Sequence, residues 1–252
     1  MIRILMGEDY REASLRAAEV MYDVVVKKPT AVLGLATGSS PIGMYDALAE
    51  MCKEGKASFA KCKSVNLDEY VGLAPTHDQS YAYFMAKNFF DKIDIDKKNT
   101  NLPSGLAEDL EAECLRYDGV IASMGGVDIQ VLGIGNNGHI GFNEPSDAYS
   151  KGTGVVSLTA STIDANARFF ASRDEVPTKA LSMGVGQIVA ARQILLLAMG
   201  EGKAEILERA LFGDVTPHVP ASILQFCSHV TVCADRAALS EVLRRHPEFP
   251  ID

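Results

Sequence analysis

No apolar run in this chain approaches the roughly 18 residues that a membrane-spanning helix needs; the densest, Ile194 to Met199, is the size of a strand. A secretory leader is missing too. Met1-Ile2-Arg3-Ile4-Leu5 gives way almost at once to Glu8 and Asp9, so a cytoplasmic protein is expected. Basic residues are in the minority: 24 Lys and Arg stand against 33 Asp and Glu, a formal net charge of −9. That balance argues against a nucleic-acid surface, which needs clustered cations to replace phosphate counterions. It leaves room for a small anionic ligand, because a pocket is governed by its local donors and dipoles. Cys52, Cys62, Cys114, Cys227 and Cys233 are odd in number and have no C-x-x-C spacing. They fit free thiols in a reducing compartment better than a disulfide framework. There is no internal repeat, low-complexity tract or Pro/Ser/Gly linker, so residues 1–252 are expected to form a single domain.

What is present is an alternation of short apolar runs with amphipathic stretches. The strand-like runs are Ile2 to Leu5, Ala31 to Leu35, Ser64 to Leu67, Ile129 to Leu132, Gln193 to Ala198 and Val230 to Cys233. Several lack polar alternation, as strands buried on both faces should. Helical stretches cover Tyr10 to Lys28, with Leu15, Ala18, Met21, Tyr22 and Val25 on one stripe, then Ile42 to Lys53, Tyr81 to Phe90, Leu110 to Ser123 and Lys203 to Leu211. The pattern predicts an α/β fold: a mostly parallel sheet flanked by helices on both faces, of Rossmann-like type. The Ser-, Thr- and Gly-rich segment at about 145–178 reads as a lid within that domain.

In such folds ligands bind beyond the carboxyl ends of the strands, so the residues that follow each strand carry the information. Thr37-Gly38-Ser39-Ser40-Pro41 follows the second run and leads into a helix. Three hydroxyls, a glycine and the positive end of a helix suit an anion such as phosphate, although an ordinary helix cap by Ser40 would also use this composition. No Gly-Lys-Ser/Thr follows, which excludes a nucleotide P-loop. Asp68-Glu69-Tyr70 follows the third run, and Asp68, nearer the strand end, suits general-base work; a solvated acidic turn is the plainer alternative. After Ile129 to Leu132 comes the glycine loop Gly133 to Pro145, which displays His139 and Glu144 as an imidazole–carboxylate pair for proton transfer. Gly133, Gly135 and Gly138 spell G-x-G-x-x-G, but Gly141 and Pro145 interrupt the helix that a dinucleotide fingerprint requires, so no nicotinamide cofactor is expected. Arg168 and Lys203 are the two cations in position to reach a phosphate; either could equally be a solvated surface charge.

Together these segments resemble the glucosamine-6-phosphate deaminase (isomerase) family, through Leu35-Ala36-Thr37-Gly38, Val65 to Tyr70, Gly133 to Pro145, Asn166 to Phe170, Gly184-Val185-Gly186 and Gly200 to Lys203. The resemblance implies the deaminase/phosphogluconolactonase type of fold, a small amino-sugar phosphate as substrate, and neither metal nor organic cofactor. It implies that Asp68 accepts the proton during enolisation, and that His139 opens the sugar ring with Glu144 and Asn137. Thr37, Gly38, Ser39, Ser40, Gly135, Gly138, Arg168 and Lys203 would then bind the substrate and its phosphate. Some family members carry Asp where Asn137 stands; an asparagine can orient an imidazole but cannot compensate its positive charge.

The resemblance leaves galactosamine-6-phosphate isomerase/deaminase as an alternative, and more distantly 6-phosphogluconolactonase or a non-catalytic sugar-phosphate sensor. A lactonase gives Asp68 no enolisation to perform, and a sensor needs the anion loop but not Asp68, His139 and Glu144 together. A homo-oligomer is allowed but not required. Between Ser146 and Ser157 the chain has only Lys151 where some relatives carry several basic residues associated with allosteric activation. Its rate should therefore follow a hyperbolic curve in substrate; a sigmoidal curve made hyperbolic by N-acetylglucosamine 6-phosphate would overturn that expectation.

Overall fold

A computed structural model describes residues 2–159, 163–164, 167, 170 and 172–252. Strand β1 (Ile2–Gly7) leads into helix α1 (Tyr10–Lys27), which begins where the Asp9 carboxylate accepts the N–H of Glu12. Then come β2 (Val32–Leu35), α2 (Ile42–Lys53), β3 (Lys63–Asn66), β4 (Asp68–Tyr70) and α3 (Tyr81–Asn88). The chain continues through β5 (Thr100–Asn101), α4 (Leu110–Ser123), β6 (Ile129–Gly133), β7 (Gly154–Ser157) and β8 (Lys179–Ser182). It ends with α5 (Val185–Val189), β9 (Ile194–Ala198), α6 (Ala204–Phe212), β10 (Val230–Asp235) and α7 (Ser240–Arg245). No helix among the described residues is long and apolar enough to cross a membrane.

Seven strands form a parallel sheet in the order β1-β10-β9-β6-β2-β3-β5. Helices flank it, as expected from the alternating pattern. Leu33, Leu35, Ile129, Val131, Leu195 and Leu196 are buried at its centre, which explains why β2 and β9 read as continuous apolar runs and β6 as one broken only by the buried Gln130. From β2 the chain steps outward to β3 and β5, whereas from β6 it steps the other way to β9 and β10. The direction therefore reverses between the neighbours β2 and β6, where loops diverge and leave a crevice at the carboxyl edge. The opposite edge is closed by ion pairs. The buried Asp128 carboxylate accepts the Val32 N–H at 2.8 Å and meets Lys28 Nζ at 2.9 Å and Arg192 at 3.3 Å.

A second sheet was not legible in the sequence. β4, β8 and β7 pair antiparallel, with Asp68 opposite Ser182 and Gly154 also opposite Ser182. Asp68-Glu69-Tyr70 is thus neither the tail of β3 nor a solvated acidic turn, but a buried strand of its own. Within the expected lid at 145–178, residues Gly154–Ser157 are held in a sheet, and residues 160–162, 165, 166, 168, 169 and 171 lie outside the described residues. The apolar stripe of α1 also differs from expectation: Ala13, Ala17, Ala18, Met21, Val24 and Val25 face inward, while Leu15 is exposed. Close approaches along α1 fall on small residues: Ser14 lies against Gly43 of α2, and Ala13 lies against Gly7 at the end of β1. The five cysteines are free.

Candidate active site

The loop after β2 is pinned by two tyrosines. Tyr45 donates its phenol to the Ala36 carbonyl at 2.7 Å and accepts the Ala36 N–H at 3.2 Å, while Tyr10 donates to the Ser39 carbonyl at 3.0 Å and accepts the Gly43 N–H at 2.8 Å. Gly38 sits at φ 93° with open space beside it. Ser40 does not cap α2, whose start has no side-chain capping bond. The loop thus presents Gly38, Ser39 and the helix N-terminus outward, at the place in the sheet where an anion is favoured. The Thr37 hydroxyl is engaged with the buried phenol of Tyr81, the first residue of α3.

Asp68 and Glu69, adjacent in β4, face different surroundings. Glu69 Oε1 accepts the N–H groups of Tyr70 and Tyr81, both at 2.9 Å, and its Oε2 accepts that of Ala82 at 2.8 Å. Glu69 is therefore docked on the N-terminus of α3. Asp68 is buried but accepts no hydrogen bond from the described residues and has no Lys, Arg or His within ion-pair distance among them. Burial first, and the Glu69 charge second, push its carboxyl up to about 8. A Cβ placed on Gly141 would lie 3.8 Å from Asp68 Oδ2 and 3.2 Å from Ser182 Oγ, so the backbone of the glycine loop passes directly over the carboxylate.

That loop starts no helix after β6. Instead the Gly135 N–H bonds the His139 carbonyl and the Gly138 N–H bonds the Gly135 carbonyl, both at 2.9 Å, which folds residues 135–139 into a tight turn. The imidazole of His139 lies against Gly135, and any side chain at 135 would occupy the ring's place. Asn137 Oδ1 stands 2.8 Å from His139 Nδ1, and Asn137 Nδ2 donates to Glu144 Oε2. An ionised Glu144 can only accept, so the amide must turn its NH2 toward Glu144 and its oxygen toward the histidine. Nδ1 consequently carries the proton, and Nε2 is the basic nitrogen. Glu144 Oε1 also lies 3.4 Å from Nδ1. The charge compensation that asparagine itself cannot give is thus supplied by Glu144 beside it.

Lys203 ends a short 3-10 turn and caps α6, and its Nζ donates to Asn136 Oδ1 at 2.6 Å, next to Asn137. Burial pulls its ammonium below the usual lysine range. The Asp235 carboxylate fixes the preceding backbone by accepting the Gly200 N–H at 2.9 and 3.0 Å. Arg168 lies outside the described residues. Tyr81 was missed in the sequence reading: its ring is parallel to that of Phe142 within 8°, and it joins the anion loop, through Thr37, to the roof over Asp68. Asn143 was missed as well. Its amide donates to the Ile140 and Met183 carbonyls, both at 2.9 Å, and it accepts the Ser150 hydroxyl at 2.6 Å, tying the loop to the end of β8. A cleft of about 310 Å³ opens beside this assembly, with Phe142, Glu144, Tyr149 and Val156 in its walls. A second cleft, of about 260 Å³, lies at the amino edge of the sheet, but its cations Lys27, Lys28 and Arg192 are paired with Asp23 and Asp128.

The buried Asp68 leaves a signature in stability. Its folded value lies above the ordinary 3.8, so the folded chain keeps a proton that the unfolded chain releases. The stability tied to that proton is complete below about 3.8 and is lost as pH rises through about 8. Each pH unit within the window changes stability by up to about 1.4 kcal/mol. Asp68→Asn should therefore raise Tm over wild type far more at about pH 8 than at about pH 5; an equal difference at both pH values would contradict this account.

Comparison with known proteins agrees with the geometry. The pattern of the glucosamine-6-phosphate isomerases/6-phosphogluconolactonase family matches residues 8–233. A glucosamine-6-phosphate deaminase from Lachnoclostridium phytofermentans is 54% identical over 231 residues, covering 92% of this chain and 98% of the relative. One from Clostridioides difficile is 50% identical, covering 96% and 97%. Among solved structures, a monomeric glucosamine-6-phosphate deaminase superposes with a TM-score of 0.91 at 45% identity, over 95% of this chain and 99% of the other. The 6-phosphogluconolactonase of Trypanosoma brucei, at 17% identity and a TM-score of 0.74 over 96% of this chain and 99% of its own, shares the fold. By sequence match and by structure, the chain belongs to the glucosamine-6-phosphate isomerases/6-phosphogluconolactonase family.

Proposed function

We propose that the chain is a glucosamine-6-phosphate deaminase, converting glucosamine 6-phosphate and water into fructose 6-phosphate and ammonia. One observation carries the reading: Asp68, buried and without a cation beside it among the described residues, lies beneath the loop that holds the His139–Asn137–Glu144 chain. Enolisation needs a carboxylate of raised basicity close to a ring-opening group. The deaminases among the relatives, at 50% identity and above, point the same way.

The phosphate is assigned to Gly38, Ser39, Ser40 and the start of α2, with Lys203 and Arg168 as its cations and the backbone of Gly135 and Gly138 along the sugar. Thr37 serves this loop through its bond to Tyr81. Binding at the phosphate end supplies energy that orients the reacting carbons. His139 Nε2 takes the proton of the C1 hydroxyl, and the ring oxygen gains a proton as its bond to C1 breaks, leaving the open-chain aldehyde. Asp68 removes the C2 proton while the aldehyde oxygen takes up a proton from the surroundings, giving an enolamine with a C1 hydroxyl. The nitrogen pair then forms C2=N as C1 takes the proton back from Asp68, water adds at C2 with loss of a proton, and the protonated amine leaves as ammonia when the C2 hydroxyl collapses to the ketone.

In an assay with glucosamine 6-phosphate, ammonia and fructose 6-phosphate should appear in equal amounts. Asp68→Asn should lower kcat by on the order of 10²- to 10⁴-fold while largely sparing KM; normal turnover in that variant would remove Asp68 from the chemistry. The same assay with galactosamine 6-phosphate separates the two amino sugars. Lys203→Ala should raise KM about tenfold, the worth of one charge-assisted hydrogen bond, with kcat nearly preserved. Unchanged KM would take Lys203 out of the site.

A further inference from the structure

We propose that Glu69 is the positioning residue of the enolisation base: it clamps strand β4 to the start of α3 and places a fixed negative charge beside Asp68. The inference rests on the role given to Asp68 above.

The geometry is specific to this carboxylate. Glu69 is buried, and its two oxygens take three N–H groups, from Tyr70, Tyr81 and Ala82. Ser80 takes the next, accepting the Tyr83 N–H at 3.1 Å, so the first turn of α3 is covered by one carboxylate and one hydroxyl. A helix capped by its own Ser80 needs no buried glutamate from another element to terminate it. What Glu69 adds is a connection. It fixes the backbone of Tyr81, whose phenol reaches Thr37 of the anion loop and whose ring stacks on Phe142 of the glycine loop. It also fixes β4, which carries Asp68 one residue away.

The charge has a second effect. The titratable groups that act on Asp68 are Glu69 on its own strand, Tyr81 of α3 and Tyr117 of α4; β8 contributes the Ser182 hydroxyl and the glycine loop the backbone of Gly141. Among the described residues no cation lies within ion-pair distance to offset Glu69. Burial pushes the Glu69 carboxyl above the ordinary carboxylate range, and three N–H donors at a positive helix end act against that shift in favour of the charged form. A charge held in this way strengthens the neighbouring carboxylate as a base. It makes Asp68 retain the C2 proton long enough to deliver it to C1 rather than lose it to water. The substrate's amino group sits on the reacting C2, and its ammonium form would bring a cation to a carboxylate that has none beside it among the described residues.

The test compares kcat/KM against pH for wild type, Glu69→Gln and Glu69→Asp, with folding followed by near-UV circular dichroism. Wild type should gain activity as pH rises, with its acid limb near 8. Glu69→Gln should move that limb down by about one pH unit and lower kcat, because a neutral amide removes the like charge. Glu69→Asp should lower kcat yet leave the limb near its wild-type position. A limb unmoved in folded, active Glu69→Gln overturns the proposal, since loss of a merely structural clamp reduces kcat at every pH alike. A second measurement needs no variant and no turnover: infrared titration of wild type with carbon-13-labelled carboxyls should show Glu69 ionising before Asp68. Glu69 still protonated while Asp68 titrates would overturn the proposal whether or not Glu69→Gln folds. Absence of ammonia release by wild type would count against the deaminase reading; an unmoved limb in an active variant counts against Glu69 alone.

Discussion

A buried carboxylate with no cation beside it among the described residues is the constraint around which this molecule is arranged. Desolvation of Asp68 disfavours its charged form, and the fold must supply the difference from elsewhere. Two features make that burial tolerable. The antiparallel pairing of β4 with β8 satisfies the backbone on both sides of Asp68, and Met183 donates its N–H to the Leu67 carbonyl at 2.7 Å. The surrounding core is dense, with Leu67 and Tyr117 buried nearby and the Tyr117 phenol donating to the Asn66 carbonyl at 2.6 Å. The carboxylate is immobile because its strand is immobile. Its basicity then follows from placement rather than from any bond it makes.

The parallel sheet and the small antiparallel sheet have separate tasks. The parallel sheet brings the loops after β2, β6 and β9 to one edge, so that residues 37–41, the imidazole and Lys203 emerge on the same side of the sheet, with Lys203 bonded to the glycine loop at Asn136. The antiparallel sheet sets Asp68 under that crevice from the side. Between them run side-chain bridges: Tyr81 from α3 to Thr37, and Asn143 from the glycine loop to Met183 and Ser150. Each bridge joins an element of one sheet to an element of the other. Displacement of either sheet would therefore be felt at the reacting atoms, where an error of about 1 Å is costly.

The parallel core was readable because its signals are local and periodic. Apolar runs marked β2, β6 and β9, with Gln130 the one polar residue inside them, and the glycines, hydroxyls and His139 after them marked the loops. The second sheet left no such trace. β4 has three residues and β7 and β8 have four each, too short for periodicity, and β4 pairs with β8 across more than a hundred positions of sequence. Asp68 was singled out over Glu69 by its nearness to the strand end, but the task of Glu69 left no trace: the alternation of a strand, together with the arrival of α3, sends the second carboxylate onto a helix end. Leu15 was misread as buried because a helical stripe gives a direction but not the closeness of the neighbouring helix. Tyr81 could have been suspected from its place immediately after the capping Ser80, but its bond to Thr37 is purely tertiary.

Asn137 has one more consequence. A carboxamide accepts at its oxygen and donates at its nitrogen, and it does not pass a proton from one to the other. The link from His139 to Glu144 through the Asn137 amide is thus an electrostatic tether with no conducting path of its own. The direct separation of Nδ1 from Glu144 Oε1, 3.4 Å, is longer than a good hydrogen bond, so imidazole and carboxylate meet as charges more than as proton donor and acceptor. A proton arriving at Nε2 is held on the ring by the field of that carboxylate, and it leaves most easily by the nitrogen it entered.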